Sequence, residues 1–511
     1  MPYTNSVLTL LENRALEDPD KTAFKDPDNE ITFGALCLES KRLGTFLCKK
    51  IKSKEPVAFY MEKSVNALSG MMGAVYAGGF YSFIDVRQPV SRAVKILETL
   101  RPSLMLTDRA SFEKASELAA EYKIETIVIE DLLEDKSIVP DEDLLSDRRR
   151  NALDTDPLYV NFTSGSTGVP KGVTVSHRSV IEFISYFTDI FGIEKTDVLG
   201  NQAPFDFDVS VKDIYSGLMT GAEVVIIPRE YFSNPTMLMD HICDNNVTVL
   251  VWAVSAMCFV SIMNGLEYRY PDSIRMVMFS GEVMPIKHLK HWKSFFPDAK
   301  YVNLYGPTEI TCNCTYHVLD KEYGDTEAIP AGIPFPNEKV FLLDENDKEI
   351  KEAGIEGEIC VSGTCLALGY YNDKERTEAS FVKNPLISEY NELMYRTGDL
   401  GKWDENGLLY YTSRKDHQIK HMGQRIELGE IEAAVTSRDG VSRSCCIYDN
   451  EKKKIVLFYS GDVDKKGLLN ELKETLPPYM IPSNARQMDE LPVNKNGKID
   501  RAKLLEIYSG K

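Results

Sequence analysis

Residues 163–172 read Thr163-Ser164-Gly165-Ser166-Thr167-Gly168-Val169-Pro170-Lys171-Gly172, and this loop with its flanks constrains the fold more than any other stretch. Glycines let the backbone approach an anion and turn its N–H groups inward, while the Ser and Thr hydroxyls and Lys171 add donors and positive charge. The composition suits a phosphate cradle, and equally a flexible polar surface loop if taken alone. Lys171 stands at the Walker A spacing from Gly165, but Pro170 replaces the second glycine and Gly172 the magnesium-binding Ser/Thr. A Walker A loop also opens a helix, whereas Val173-Thr174-Val175 is a β-branched strand signal. The residues predict two strands, over 158–162 and 172–175, joined by a phosphate-handling loop outside the P-loop NTPase class. Thr163, Ser164, Gly165, Ser166, Thr167, Gly168 and Lys171 are its nucleotide-contacting candidates.

Short apolar runs at 57–60, 104–106, 126–129 and 223–227 alternate with amphipathic stretches such as 111–122, the pattern of α/β layers with buried parallel strands. Later runs, at 339–343 and 356–361, are divided by turn residues such as Asp344-Glu345-Asn346 and predict antiparallel strands. A chain of 511 residues exceeds one core, so at least two domains are expected. The boundary is placed at Ser413-Arg414-Lys415-Asp416, a polar connection after a strand at 408–411, giving domains 1–413 and 414–511. The longest apolar stretch, 247–263, contains Thr248, Ser255 and Ser261, falls short of the roughly 20 residues that span a bilayer, and predicts a strand followed by a helix.

A net charge of −19, from 59 basic and 78 acidic residues, disfavours nucleic acid and anionic membrane as partners. No basic segment followed by an apolar core opens the chain, and the ten cysteines lack CxxC pairs and zinc-like spacing, so a cytoplasmic enzyme with reduced cysteines and no membrane insertion is expected.

Eight motifs in order carry a resemblance. They are Ile31-Thr32-Phe33, Ala77-Gly78-Gly79 through Ile84-Asp85, the 163–172 loop, Phe207-Asp208-Val209-Ser210, Tyr305-Gly306-Pro307-Thr308-Glu309, Tyr395-Arg396-Thr397-Gly398-Asp399, Arg414-Lys415-Asp416, and Asn496-Gly497-Lys498-Ile499-Asp500-Arg501. Together they resemble the adenylate-forming enzymes, which include acyl-CoA ligases, luciferases and the adenylation domains of non-ribosomal peptide synthesis. The likeness covers nearly the whole chain. It implies an α/β fold: a large N-terminal domain of layered α/β subdomains plus a small β-barrel-like part, then a small mobile C-terminal α/β domain hinged at Asp416.

Adenylation brings a carboxylate and ATP together and expels pyrophosphate, so cations and oriented donors are its main requirement. The resemblance implies that Lys498, on a turn, reaches the substrate carboxylate and the α-phosphate. Tyr305 offers an aromatic face for adenine, Thr308 a hydroxyl for the α-phosphate, and Glu309 a hard oxygen for Mg2+. Asp399 is expected after a strand ending near Tyr395, where it accepts from the ribose hydroxyls, and Arg414 adds a ribose or phosphate contact. Gly281 and Glu282 complete the implied ATP site.

Asp208 decides the substrate class. In the amino-acid-activating branch an aspartate in this motif pairs with the substrate's α-ammonium; the alternative is a helix-capping Asp. Motif offsets add Val209, Lys212, Val251, Met278, Ser280, Leu304, Cys312 and Asn313 to the pocket. The segments Asn201-Gln202-Ala203-Pro204-Phe205, Ser280-Gly281-Glu282-Val283-Met284-Pro285 and His417-Gln418-Ile419-Lys420 resemble the D-alanine:carrier-protein ligases, although Lys212 and Ser280 stand where those carry an apolar residue and a cysteine. A pocket lysine would favour a substrate with an acidic or hydrogen-bonding side chain; a lysine turned away or paired near Asp213 would leave room for a small one. Ser413, where the family usually has glycine, lies beside the hinge. No carrier segment follows Lys498 before Lys511, so a separate carrier protein is the expected acceptor, through its phosphopantetheine thiol and the Gly423-Gln424-Arg425 loop, with free coenzyme A second. The readings left open are a standalone peptide-synthesis ligase for another amino acid, an acid:CoA ligase, and a non-catalytic nucleotide-binding protein.

Overall fold

The computed structural model describes residues 4–165, 168–415, 418–450, 452–493 and 499–509. Lys498, Asp416, Ser166 and Thr167 therefore lie outside the described residues. The chain divides into two compact units. The larger comprises Met1–Ile84, Arg101–Asn161 and Val173–Lys415; the smaller comprises Asp85–Leu100, Phe162–Gly172 and Asp416–Lys511.

Two large sheets carry most of the fold. The first has nine strands, ordered Ile333–Pro334, Thr315–Val318, Lys300–Tyr305, Met276–Ser280, Val249–Ala253, Val198–Asn201, Glu223–Ile226, Thr22–Lys25 and Glu30–Thr32. From Lys300–Tyr305 to Thr22–Lys25 every pairing is parallel, and only the edges are antiparallel. Their continuous apolar runs suit burial on both faces. The second sheet has seven strands, ordered Gly369–Tyr370, Lys171–Ser176, Pro157–Thr163, Phe80–Phe83, Pro56–Tyr60, Leu104–Thr107 and Glu125–Val128. The apolar runs at 57–60 and 104–106 fall within these strands, those at 126–129 and 223–227 do so except for their last residue, and the two strands expected around the 163–172 loop lie side by side in the second sheet.

Strand alternation divides the nine-stranded sheet's side chains between two cores. Leu250, Trp252, Val277 and Phe279 pack with Leu238, Met257 and Trp292 from covering helices. Val251, Met276, Met278 and Leu304 join the main core with Val211 and Ile214. The latter two belong to the helix Val209–Thr220, where every residue from Val209 to Leu218 is buried. The helix is enclosed although it carries Lys212, Asp213 and two serines, and burying such groups is costly unless they are hydrogen-bonded. Tyr215 on it meets Tyr81 of the seven-stranded sheet, hydroxyl to hydroxyl at 2.7 Å.

The expected antiparallel strands form a third sheet, ordered Glu349–Ile350, Glu338–Leu343, Glu356–Gly363, Leu393–Trp403 and Phe381–Lys383, with Leu409–Arg414 also paired on Leu393–Trp403. Two local expectations need correction. The strand expected to end near Tyr395 runs on to Trp403, so Asp399 lies inside it; and the strand expected to stop at residue 411 continues through Arg414, pairing Asp399 with Arg414 and Leu400 with Ser413. Ladder hydrogen bonding carries these polar residues, not apolar periodicity.

Residues 247–263 form the strand Val249–Ala253 and the helix Val254–Ile262, and no helix among the described residues is long and apolar enough to cross a membrane. All ten cysteines are free thiols. In the smaller unit, a three-stranded sheet (Val441–Asp449, Lys454–Gly461, Asn484–Gln487) and the hairpin Gln418–His421 with Gln424–Glu427 accompany the helices Val90–Leu100, Leu428–Thr436, Lys465–Leu472 and Arg501–Ser509.

Candidate functional site

Parallel sheets place their ligand sites outside the carboxyl ends of the strands. At that end of Lys300–Tyr305 the chain turns sharply through Gly306 and Pro307 into a short 3-10 helix, Thr308–Ile310. Gly306 is required by packing: a Cβ there would stand 2.5 Å from Asn313 Cα and 2.8 Å from Cys314 N. The chain doubles back through Thr311 and Cys312, both at positive φ (55° and 79°), and the Cys314 amide closes onto the Tyr305 carbonyl at 2.8 Å. Thr311 is held there by its hydroxyl, which donates to the Cys365 carbonyl at 2.7 Å. Left-handed backbone at two successive non-glycine residues costs energy and persists only where surrounding structure fixes it.

This folded-back loop joins several expected site residues. Tyr305 donates its hydroxyl to Asp399 Oδ2 at 2.6 Å, and Arg414 donates to Asp399 Oδ1 at 2.6 Å and to the Thr397 carbonyl at 3.2 Å. The Arg414 and Asp399 side chains are 8% and 2% exposed, a charge pair held by further hydrogen bonds as burial demands. Burial and the adjacent Asp399 push the Tyr305 phenol well above its usual range, keeping it a donor. Glu309 is fully buried, with Oε1 accepting from Tyr370 at 2.8 Å. Thr308, in the same short helix, is also buried.

A second cluster surrounds the start of the helix Val209–Thr220. Asp208 occupies the N-cap position, but with helical dihedrals (φ −61°, ψ −20°) and no side-chain capping bond, so the helix-capping alternative is not what the structure contains. A capping carboxylate needs extended backbone to reach the N2 or N3 amide. Asp208 is 5% exposed, and Cys312 donates its thiol to the Asp208 carbonyl at 3.0 Å. Burial raises the Cys312 thiol well above its normal range, leaving it an unreactive neutral group. One turn along, Lys212 is completely buried and donates Nζ to Asn313 Oδ1 at 2.7 Å. Desolvation lowers its pKa, opposed by Cys312, Asp208 and Asp213. Asn313 thus links Lys212 to the loop carrying Tyr305 and Glu309.

Val209 lies buried in the helix's first turn. Val251 and Met278 are register partners on adjacent strands, as are Ser280 and Leu304, and all four are buried. Val251, Met278 and Leu304 share the core face with the buried helix. Gly281, at φ 95°, and Glu282 follow the strand Met276–Ser280 in a bend.

In the smaller unit, Ser164 donates its hydroxyl to the Arg425 carbonyl at 2.6 Å and Lys95 donates to the Gly168 carbonyl at 2.7 Å, while the Gly168 amide closes a turn onto Gly165 at 2.9 Å. Thr163 ends one flanking strand and Lys171, mostly buried, begins the other. Residues outside every motif also support the larger unit's site. They include Tyr370 on Glu309, Thr311 in the strained loop, Lys63 and Asn201 behind the buried helix, and Asp213 on it. Only Asn201 fell within a segment quoted from the sequence.

Residues 11–371 match the family described as AMP-binding enzyme. The chain is 31% identical over 512 residues to surfactin synthase subunit 1 of Bacillus subtilis (strain 168), an alignment covering 98% of this chain and 14% of that relative's length. Among solved structures, an NRPS protein containing adenylation and PCP domains matches with TM-score 0.83 at 24% identity, covering 98% of this chain and 84% of that one. A double mutant of o-succinylbenzoate CoA synthetase from Bacillus subtilis matches with TM-score 0.82 at 22% identity, covering 97% and 98%. At those identities the two structures share the fold, a mixed α/β arrangement of layered sheets. The family match takes in most of the chain, including the 163–172 loop and the Tyr305–Glu309 turn, and the chain accordingly belongs to the AMP-binding enzymes.

Proposed function

We propose that the chain activates an amino acid with ATP and passes the aminoacyl group to the phosphopantetheine thiol of a carrier protein. In the first step a carboxylate oxygen of the amino acid attacks the α-phosphorus of ATP and pyrophosphate leaves. In the second the thiolate attacks the acyl carbonyl and AMP leaves. The observation that carries the amino-acid reading is Asp208, a buried aspartate at the mouth of a buried helix that makes no capping bond. A buried carboxylate at that place, not engaged in capping, suits a substrate ammonium.

The other roles follow the family motifs. Asp399, oriented by Tyr305 and Arg414, retains lone pairs for ribose hydroxyls, and Thr308 stands one residue from Glu309 to meet the α-phosphate. Magnesium is commonly held by one or two carboxylates plus substrate phosphates. That suits Glu309, since no group of three or more His, Cys, Asp or Glu able to hold a metal occurs among the described residues. The ion would neutralise charge on the departing pyrophosphate. Lys498, the 163–172 loop and a hinge at Asp416 complete the reading, with 1–413 as the adenylating domain and 414–511 as the mobile one.

Lys212 bears on which amino acid is used. Its ammonium has Asn313 as a hydrogen-bond partner and can make two further bonds, which supports a side chain that accepts hydrogen bonds. The segments resembling D-alanine:carrier-protein ligases support D-alanine instead, with Lys212 satisfied by the protein. Surfactin synthase subunit 1 as a relative supports peptide synthesis. Whether the carrier is a separate protein belongs to the same proposal. ATP/pyrophosphate exchange with D-alanine, each L-amino acid, β-amino acids and simple acids separates these readings. Exchange is expected with one amino acid and to fall at least about 100-fold in Asp208→Ala, as for loss of a charged hydrogen-bonded anchor. Exchange driven only by acids lacking an amine would make the chain an acid:CoA ligase and remove that role from Asp208.

A further inference from the structure

The loop between the strand Pro56–Tyr60 and the helix Val65–Tyr76 carries Lys63, whose ammonium is ringed by acceptors. It donates to the carbonyls of Asn201 (3.0 Å), Gln202 (2.8 Å) and Ala203 (3.3 Å), and to Asn201 Oδ1 (3.0 Å). These three residues are where the strand Val198–Asn201 leaves the nine-stranded sheet, just ahead of Asp208. Two further bonds spread from them. Asn201 donates its side-chain amide to Asp213 Oδ2 at 2.9 Å, and Gln202 Oε1 accepts from the Ala253 amide at 3.3 Å, at the end of the strand carrying Val251. Asp213 is on the buried helix, adjacent to Lys212, and both Asp213 and Asn201 are fully buried.

We propose that Lys63 is a positioning residue for the substrate side of the site: it gathers the carbonyls of residues 201–203 and, through Asn201 and Asp213, fixes the start of the helix on which Asp208 and Lys212 stand. Its effect on activity rests on the reading of Asp208 given above; its effect on the 201–213 backbone does not.

The chemistry of the group favours this role over a merely structural one. Ordering a lysine side chain costs rotamer entropy, and desolvating its ammonium costs more. A backbone amide satisfies one carbonyl, whereas an ammonium with three donors can draw consecutive carbonyls to one point. Burial pushes the Lys63 ammonium down to about 7 and the Asp213 carboxyl up to about 7, and each opposes the shift of the other. Among the described residues Asp213 Oδ1 has no hydrogen-bond partner, so the Asn201 bond to Oδ2 is what orients that carboxyl. Losing Lys63 would release the 201–203 carbonyls and loosen Asn201, and errors of about 1 Å near a reacting group can cost about 100-fold in rate.

The test uses the full-length protein with ATP/pyrophosphate exchange, D-alanine and each L-amino acid as probes, and hydrogen–deuterium exchange across residues 201–213. Lys63→Met is expected to raise the amino-acid KM about tenfold or more, leave the ATP KM within about twofold, and speed amide exchange at 201–213; Lys63→Arg, which keeps the donors, should recover most of both. Unchanged amide exchange at 201–213, or equal rises in both KM values, overturns the proposal. Should Lys63→Met fail to fold, Asp213→Asn, which keeps an acceptor for Asn201, must outperform Asp213→Leu in amino-acid KM, and equality of the two overturns it. If the unaltered protein exchanges with no amino acid, the reading of Asp208 fails, and the amide exchange of Lys63→Met alone then upholds or overturns the positioning role.

Discussion

His177 illustrates how far burial controls a single side chain in this fold. It opens the helix His177–Phe191, is 5% exposed, and uses Nδ1 to accept the Val7 amide at 3.3 Å, which requires a neutral ring. Burial, reinforced by Arg149, pushes its pKa from 6.5 down to about 4. The unfolded chain therefore binds the proton more tightly. The stabilisation is fully present above pH 6.5 and is lost as pH falls through 4, amounting to about 3 kcal/mol. His177→Gln, which can accept the same amide without titrating, should flatten the fall in stability between those pH values by that amount, measured by urea unfolding across the range; an identical slope in both proteins would refute the assignment. Residues of this kind are the least legible in a sequence. Lys63 and Asn201 are 138 positions apart, and Lys212 and Asn313 are 101 apart, so neither pairing leaves a local pattern.

At the scale of elements, two helices cross where each presents a glycine. A Cβ on Gly44 of the helix Phe33–Leu47 would stand 2.5 Å from Tyr76 Cβ, and one on Gly73 of the helix Val65–Tyr76 would stand 2.7 Å from Leu43 Cβ. In an exposed helix interior Gly→Ala is stabilising by about 1 kcal/mol. Here the sign should reverse: Gly73→Ala is expected to lower stability by about 1–3 kcal/mol through overpacking, read from the urea midpoint, and a gain would mean that the helices separate without cost. The helices and strands themselves were largely legible because their apolar spacing reports which faces are buried. The strand Leu393–Trp403 was not, beyond Tyr395. Thr397 and Asp399 are polar yet 1% and 2% exposed, and Gly398 between them reads as a turn. What makes this stretch strand is pairing with Arg414 and Ser413, together with Thr397 donating its hydroxyl to the Ile359 carbonyl at 2.7 Å, none of which sequence periodicity encodes.

Across the whole molecule, the motifs that identified the family fall in both units, and the lysine on which the proposed chemistry most depends lies outside the described residues. Lys498→Ala should reduce ATP/pyrophosphate exchange at least about 100-fold, by loss of a charge aimed at the transition state, while leaving the unfolding midpoint unchanged; retained exchange would remove Lys498 from the mechanism. The smaller unit poses a different question, because it is assembled from three separate segments. The polar run at 413–416 gives no hint that residues 85–100 group with the C-terminal hundred. A buried ion pair joins them: Arg92, on the helix Val90–Leu100, donates to Glu430 Oε1 at 2.5 Å, both side chains are 5% exposed, and among the described residues Arg92 Nε and Glu430 Oε2 have no hydrogen-bond partner. A pair so enclosed and incompletely bonded contributes little net stability over an apolar replacement, but removing one member strands the other. Arg92→Met alone should destabilise this unit by about 3–5 kcal/mol, seen as faster amide exchange in the helix Leu428–Thr436, and Arg92→Met with Glu430→Leu should recover most of that loss. Failure of the double variant to recover would mean that the pair holds residues 85–100 to the C-terminal segment through its own charge–charge bond, and that its polar chemistry cannot be replaced by packing.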